Sequence, residues 1–213
     1  MKRLCFQFSL RPAIVATILV MAVTSAFAFS QGDLQAKLEY CKTCHGISGE
    51  GYRGSLPIPR LAGQQAEYLE NQLQAFIERR RESKFMFAVA NALSPTMLPA
   101  LAAHFNDLNA KPLKGAPKDQ VAAGKKLYEE GVPETSIQPC AMCHGPDAKG
   151  EGAAPRLAGQ LHDYIAKTLL NWSKERCRDR ARAGGPPSLI MEPIVQPQIG
   201  ALAAYLNHLE LIL

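Results

Sequence analysis

Two short stretches carry residues that can do chemistry. Cys41-Lys42-Thr43-Cys44-His45 places two thiols three residues apart with an imidazole directly after the second, and Cys140-Ala141-Met142-Cys143-His144 repeats that spacing 99 residues later. C-x-x-C-H is the attachment signature of a c-type haem. Cysteines three apart share one face of a helix, so both thiols can add to the vinyl groups along one porphyrin edge while the histidine is presented to the iron. A four-cysteine zinc ribbon would want its pairs roughly 15 to 20 residues apart, far closer than here. A thioredoxin-like motif would want a βαβ setting, and no strand pattern is legible. Neither rival explains a histidine in both copies.

Haem is attached outside the bacterial cytoplasm, and the N-terminus fits export. Lys2, Arg3 and Arg11 form a basic region, 13–23 is apolar, and Ala26-Phe27-Ala28 is a small-x-small cleavage site. Residues 1–28 are therefore expected to be a secretory signal peptide. The apolar run is shorter than the roughly 20 residues of a membrane span. Cleavage removes three basic residues and no acidic ones, lowering the formal net charge from +5 to +2; nothing in that balance points to nucleic acid. Of the six cysteines, Cys5 leaves with the leader and four belong to the motifs, so Cys177 is left alone.

The elements that must position these motifs also come in duplicate. Pro59-Arg60-Leu61-Ala62-Gly63-Gln64 recurs as Pro155-Arg156-Leu157-Ala158-Gly159-Gln160, and Leu101-Ala102-Ala103-His104-Phe105 is echoed by Leu202-Ala203-Ala204-Tyr205-Leu206. In the first half, helices are predicted from Asp33 to about Cys44, from about Gln65 to Arg81, and from Ser94, an N-cap followed by Pro95, with a Gly- and Pro-rich loop after the motif. The second half begins with a helix over about Lys118–Glu130 and closes with one starting near Pro197. The expected organisation is a first domain over 29–110, a linker over 111–117 and a second domain over 118–213. The expected fold is all-α, each domain wrapped around one haem that supplies the apolar core so small a domain lacks.

Two small haem domains in tandem, each reading C-x-x-C-H, P-R-L-A-G-Q and L-A-A-aromatic in order, closely resemble the cytochrome c4 family of dihaem class I c-type cytochromes over essentially the whole mature chain. That resemblance implies a periplasmic electron carrier with two covalently bound haem c groups. Its donor would be a quinol-oxidising complex or a dehydrogenase, and its acceptor a terminal oxidase. It also implies that the Pro59 and Pro155 carbonyls accept from the second ring nitrogen of His45 and His144. Arg60 and Arg156 could pair with haem propionates, or be solvated surface residues.

The family closes each iron with histidine and methionine. The loop before each final helix should supply the methionine. In the first domain Met86 matches the family spacing to Leu93-Ser94, whereas Met97 falls on the apolar stripe of the last helix and reads as core. The second domain departs from the pattern: Pro187 stands opposite Met86, and Met191 is four positions late. Met142 is trapped between the haem cysteines, which leaves Met191 as the methionine available there, with His162, His208 and Cys177 as non-methionine alternatives. The run Glu78-Arg79-Arg80-Arg81-Glu82 reads as a solvated helix end or as a docking patch for an acidic partner. A dihaem subunit of a periplasmic dehydrogenase complex is the alternative function. An enzyme acting at the second haem is the third class. Soluble and peripheral membrane-associated states are both open at this stage.

Overall fold

The computed structural model describes residues 31–135, 137–172, 174 and 194–209. The expected leader over 1–28 and Cys177, Pro187 and Met191 lie outside them. In the first half, α1 spans Gln31–His45, α2 Ala66–Ile77, α3 Lys84–Asn91, and a 3-10 turn at Pro95–Met97 leads into α4, Leu98–Asp107. In the second half, α5 spans Val121–Glu130, a 3-10 turn Pro133–Thr135 follows, and α6 (Ala141–His144), α7 (His162–Leu170) and α8 (Gln196–His208) complete the order. Strand-like pairing among the described residues is confined to three isolated bridges, Tyr52 with Ile58, Val132 with Ile137 and Glu151 with Ala154. The described residues form an all-α fold of two tandem helical units.

Each half closes on its own apolar cluster. In the first, Leu38 of α1 meets Leu69 of α2 and Leu98, Leu101, Ala102 and Phe105 of α4, with Met97 among them. Met97 is 7 % exposed, so the stripe reading of that residue holds. Asp33 in the first turn of α1 and Lys42 with His45 in the last complement the helix dipole. In the second half, α5 and α8 cross with Leu127, Tyr128, Leu202, Ala203, Tyr205 and Leu206 between them.

Tyr128 ties that core to the motif. It is fully buried, and its hydroxyl donates to the Gly145 carbonyl at 2.5 Å, one residue past His144. Burial first, and then the charges of Tyr205 and Asp147, push its phenol well above the usual value. Folding therefore disfavours ionisation, so this contribution to stability is complete below the unfolded value of about 10 and lost as pH rises beyond it. Tyr128→Phe should lower stability by about 1 kcal/mol at neutral pH. It should also flatten the alkaline decline, as urea unfolding at pH 7 and pH 11 would show.

Three expectations need correction. The second helix stops at Ile77 rather than Arg81, because Arg79 takes a left-handed conformation (φ 56°) and the Arg80 and Arg81 amides both turn back to the Ala75 carbonyl. The segment before the final helix is not all loop: the Ser83 hydroxyl caps α3 by accepting from the Met86 amide at 3.3 Å, so Met86 sits half-buried on a helix. The charge run is solvated only in part: Glu78, Arg79 and Glu82 are exposed, but Arg81 is not. Arg81 is buried, donating to Gln72 Oε1 at 2.9 Å and to the Tyr164 hydroxyl at 2.6 Å, while the Arg79 guanidinium stacks 3.7 Å from the Phe87 ring centroid and Arg80 pairs with Glu78.

Candidate haem sites

The first motif is the last turn of α1. Cys41 is half-buried and Cys44 exposed, and His45 is 8 % exposed. His45 Nδ1 lies 2.9 Å from the Pro59 carbonyl oxygen. A carbonyl can only accept, so Nδ1 carries the hydrogen and Nε2 keeps a bare lone pair, which is what an iron requires. His144 makes the same bond to Pro155 at 2.9 Å. Burial pulls both imidazoles below their ordinary pKa against the opposing pull of the proline carbonyls, and the Arg81 charge lowers His45 further. Burial also raises Cys41 and Cys140. All four motif cysteines are free of disulfides. This donor set fits a haem c ligated from one side in each half.

The loops that present the two prolines are built alike although the second is three residues shorter. The Gly51 amide donates to the His45 carbonyl at 2.7 Å, and Gly150 does the same to His144 at 2.9 Å. Gly49 and Ala148 each accept two amides from the following loop arm, Leu61 with Ala62 and Leu157 with Ala158. A side chain at Gly51 (φ +88°) would come 2.7 Å from the Ile58 carbonyl, and one at Gly150 (φ +67°) 2.3 Å from the Ala154 carbonyl. Glycine at these two positions lets the loop fold back tightly enough to aim the proline at the histidine.

The repeated P-R-L-A-G-Q segment then docks on the closing helix of its own half. The Gly63 amide donates to the Phe105 carbonyl at 2.9 Å and Gly159 to Leu206 at 2.8 Å. The Asn106 amide group donates to the Gln64 carbonyl at 2.8 Å and Asn207 to Gln160 at 2.9 Å. These asparagines were missed, although each directly follows the L-A-A match and would have lengthened it by one residue.

Across the two halves the same segments meet head to head. Gln64 Oε1 accepts from the Arg156 amide at 2.7 Å and its Nε2 donates to the Arg156 carbonyl at 3.0 Å; Gln160 makes the reciprocal pair with Arg60 at 2.8 and 3.0 Å. Gln65 adds bonds to the Lys149 and Gly150 carbonyls, and Arg53 pairs with Asp163 at 3.9 Å. Arg60 is 2 % exposed, which overturns the surface alternative for it; burial lowers its guanidinium to about 10. Arg156 is lowered by burial first and then by the Arg60 charge. Their Nε atoms donate to the Ala62 and Ala158 carbonyls at 2.9 and 3.2 Å. A buried cation beside a half-buried one favours anionic groups at this interface, so haem propionates suit both arginines.

Two of the alternative ligands have other engagements. His208 Nε2 donates to the Ala116 carbonyl at 3.1 Å, fastening the linker to α8, and His162 Nδ1 lies 2.8 Å from Asp163 Oδ1.

The Cytochrome c family model matches residues 33–111 and again 121–210. The chain is 35 % identical over 179 residues to the cytochrome c4 of Thiocapsa roseopersicina, spanning 80 % of this chain and 87 % of that one. It is 35 % identical over 153 residues to the thiosulfate dehydrogenase electron acceptor of Thiomonas intermedia (strain K12), spanning 70 % and 68 %. Among solved structures, the cytochrome c4 of Acidithiobacillus ferrooxidans superimposes with a TM-score of 0.67 at 32 % identity, covering 79 % of this chain and 98 % of its own. Two matched halves built around two like-oriented histidines, at this overlap, place the chain in the cytochrome c4 family: it is a dihaem electron-transfer protein with both haem c groups covalently bound.

Proposed function

We infer that the protein works outside the cytoplasm, after removal of residues 1–28, carrying electrons between respiratory complexes towards a terminal oxidase. The observation that carries this is the pair of histidines, each held by a proline carbonyl with Nε2 free for iron, in two halves that share a hydrogen-bonded interface. Cys41 with Cys44 and Cys140 with Cys143 hold the haems. His45 and His144 are the proximal ligands, Met86 closes the first iron and Met191 the second, and Arg60 and Arg156 pair with propionates. When bound, each haem supplies a one-electron iron couple that no side chain here provides. The protein's part is to exclude water, fix the ligands and set the order of the two potentials.

A second reading is favoured by the relative described as a thiosulfate dehydrogenase electron acceptor: the chain takes electrons from a periplasmic dehydrogenase. Stopped-flow mixing separates the two. Oxidation of the reduced protein by a cytochrome-oxidising terminal oxidase, without reduction by thiosulfate dehydrogenase and thiosulfate, supports the first reading. Rapid reduction by the dehydrogenase with no transfer to the oxidase supports the second. Carbon monoxide binding to the reduced second haem would contradict both.

A further inference from the structure

The reciprocal glutamine contact does more than join two domains. The peptide group between Pro59 and Arg60 has its carbonyl on His45 Nδ1 (2.9 Å) and its N–H on Gln160 Oε1 of the other half (2.8 Å). The peptide between Pro155 and Arg156 has its carbonyl on His144 Nδ1 (2.9 Å) and its N–H on Gln64 Oε1 (2.7 Å). One peptide plane therefore separates each proximal histidine from a glutamine belonging to the opposite domain. Both glutamines are buried, so water does not compete for these bonds. Neither carboxamide is free to turn: Gln64 Oε1 also accepts from the Gln65 amide at 2.9 Å, Gln160 Oε1 from the Leu161 amide at 3.0 Å, and each Nε2 donates to the arginine carbonyl across the interface.

Hydrogen bonds in series polarise one another, the more so in a buried setting. An acceptor on the peptide N–H draws charge onto the peptide oxygen, which then takes the Nδ1 hydrogen more strongly. The imidazole gains anionic character and becomes a better donor to oxidised iron. Such partners beyond the direct ligands are known levers on a metal's properties.

We propose that Gln64 and Gln160 are crossed positioning residues: Gln160, in the second domain, holds down the potential of the first haem through Arg60, Pro59 and His45, and Gln64, in the first domain, holds down that of the second through Arg156, Pro155 and His144. The difference between the two potentials then depends on the domains being docked. Undocking or reorienting them would change where the electron resides without altering any iron ligand. This rests on His45 and His144 ligating iron, as proposed above.

The test uses the full dihaem protein with Gln160→Leu and Gln64→Leu, reading the distribution of one electron between the two haems in an optical redox titration. Gln160→Leu should shift that distribution about threefold towards the first haem, and Gln64→Leu about threefold towards the second; at 59 mV per tenfold this is about 30 mV in opposite directions. The Nδ1 proton of His45 should move upfield in reduced Gln160→Leu while that of His144 stays, and the reverse should hold for Gln64→Leu. A shift confined to the glutamine's own domain, equal shifts of both haems, or unchanged potentials with normal spectra would overturn the proposal. A wild-type spectrum lacking histidine-ligated low-spin haem would instead overturn the ligand assignment. Should the leucine variants fail to retain both haems, Gln160→Met and Gln64→Met preserve side-chain length. The wild type offers a direct reading as well: a scalar coupling from the Arg60 amide nitrogen to the Gln160 side-chain carbonyl carbon is expected, and its absence contradicts the contact.

Discussion

A chain with Cys140→Ala and Cys143→Ala is expected to carry one haem instead of two and to lose the cooperative unfolding of its second half, while the first half keeps its spectrum. The second motif occupies only α6, a single turn, and its residues line the wall of the second core: Cys140 and Ala141 pack on the cluster of Leu127, Tyr128, Ile165, Leu202 and Leu206. A domain of this size is marginal on its own side chains, and with its prosthetic group gone its core loses a large part of its apolar filling. Ligation and covalent attachment add stability only to the folded state. Iron per chain and two-wavelength unfolding measure the outcome. A second half that still unfolds cooperatively without haem would contradict it.

Gly124→Ala is expected to destabilise the second domain by about 3 kcal/mol. Helix propensity alone argues the other way, since alanine within a helix is favoured over glycine by about 1 kcal/mol. Packing decides the sign. A Cβ on Gly124 would lie 1.9 Å from the Ala201 carbonyl oxygen and 2.7 Å from Tyr205 Cβ. The nearer atom is backbone of α8, which cannot step aside as a flexible side chain would. α5 and α8 must then separate and loosen the Tyr128–Tyr205 pair, whose ring centroids are 5.5 Å apart. Urea unfolding of the holoprotein reads the loss as a lower midpoint; an unchanged or raised midpoint would contradict the crossing.

Much of this arrangement was legible from residue spacing. The two motifs and the duplicated P-R-L-A-G-Q segment announced two like domains, and the apolar stripe of the last helix of the first half correctly assigned Met97 to the core. The role of Pro59 and Pro155 came only through the family resemblance, and the 2.9 Å bonds give it a geometry. What escaped was non-local. The chemistry of Gln64 and Gln160 depends on partners 92 and 100 residues away, and no local pattern distinguishes a surface glutamine from one buried at an interface. Arg81 read as solvated because its neighbours are charged, yet its guanidinium lies over the Phe76 ring and donates to the Tyr164 hydroxyl. The α3 helix was missed although Ser83 is a good cap, because the methionine it carries was assigned to a loop by its spacing to Leu93 and Ser94.

The proposed closure of both irons of this dihaem carrier by histidine and methionine is open to one direct measurement. It is the magnetic circular dichroism of the oxidised mature protein, counting the iron-to-methionine-sulfur charge-transfer band per haem in the wild type, Met86→Ala and Met191→Ala. Two methionine-ligated haems in the wild type and one in each variant is the predicted result. A single such haem in the wild type, untouched by Met191→Ala, would contradict it and leave the second haem closed by another group or open.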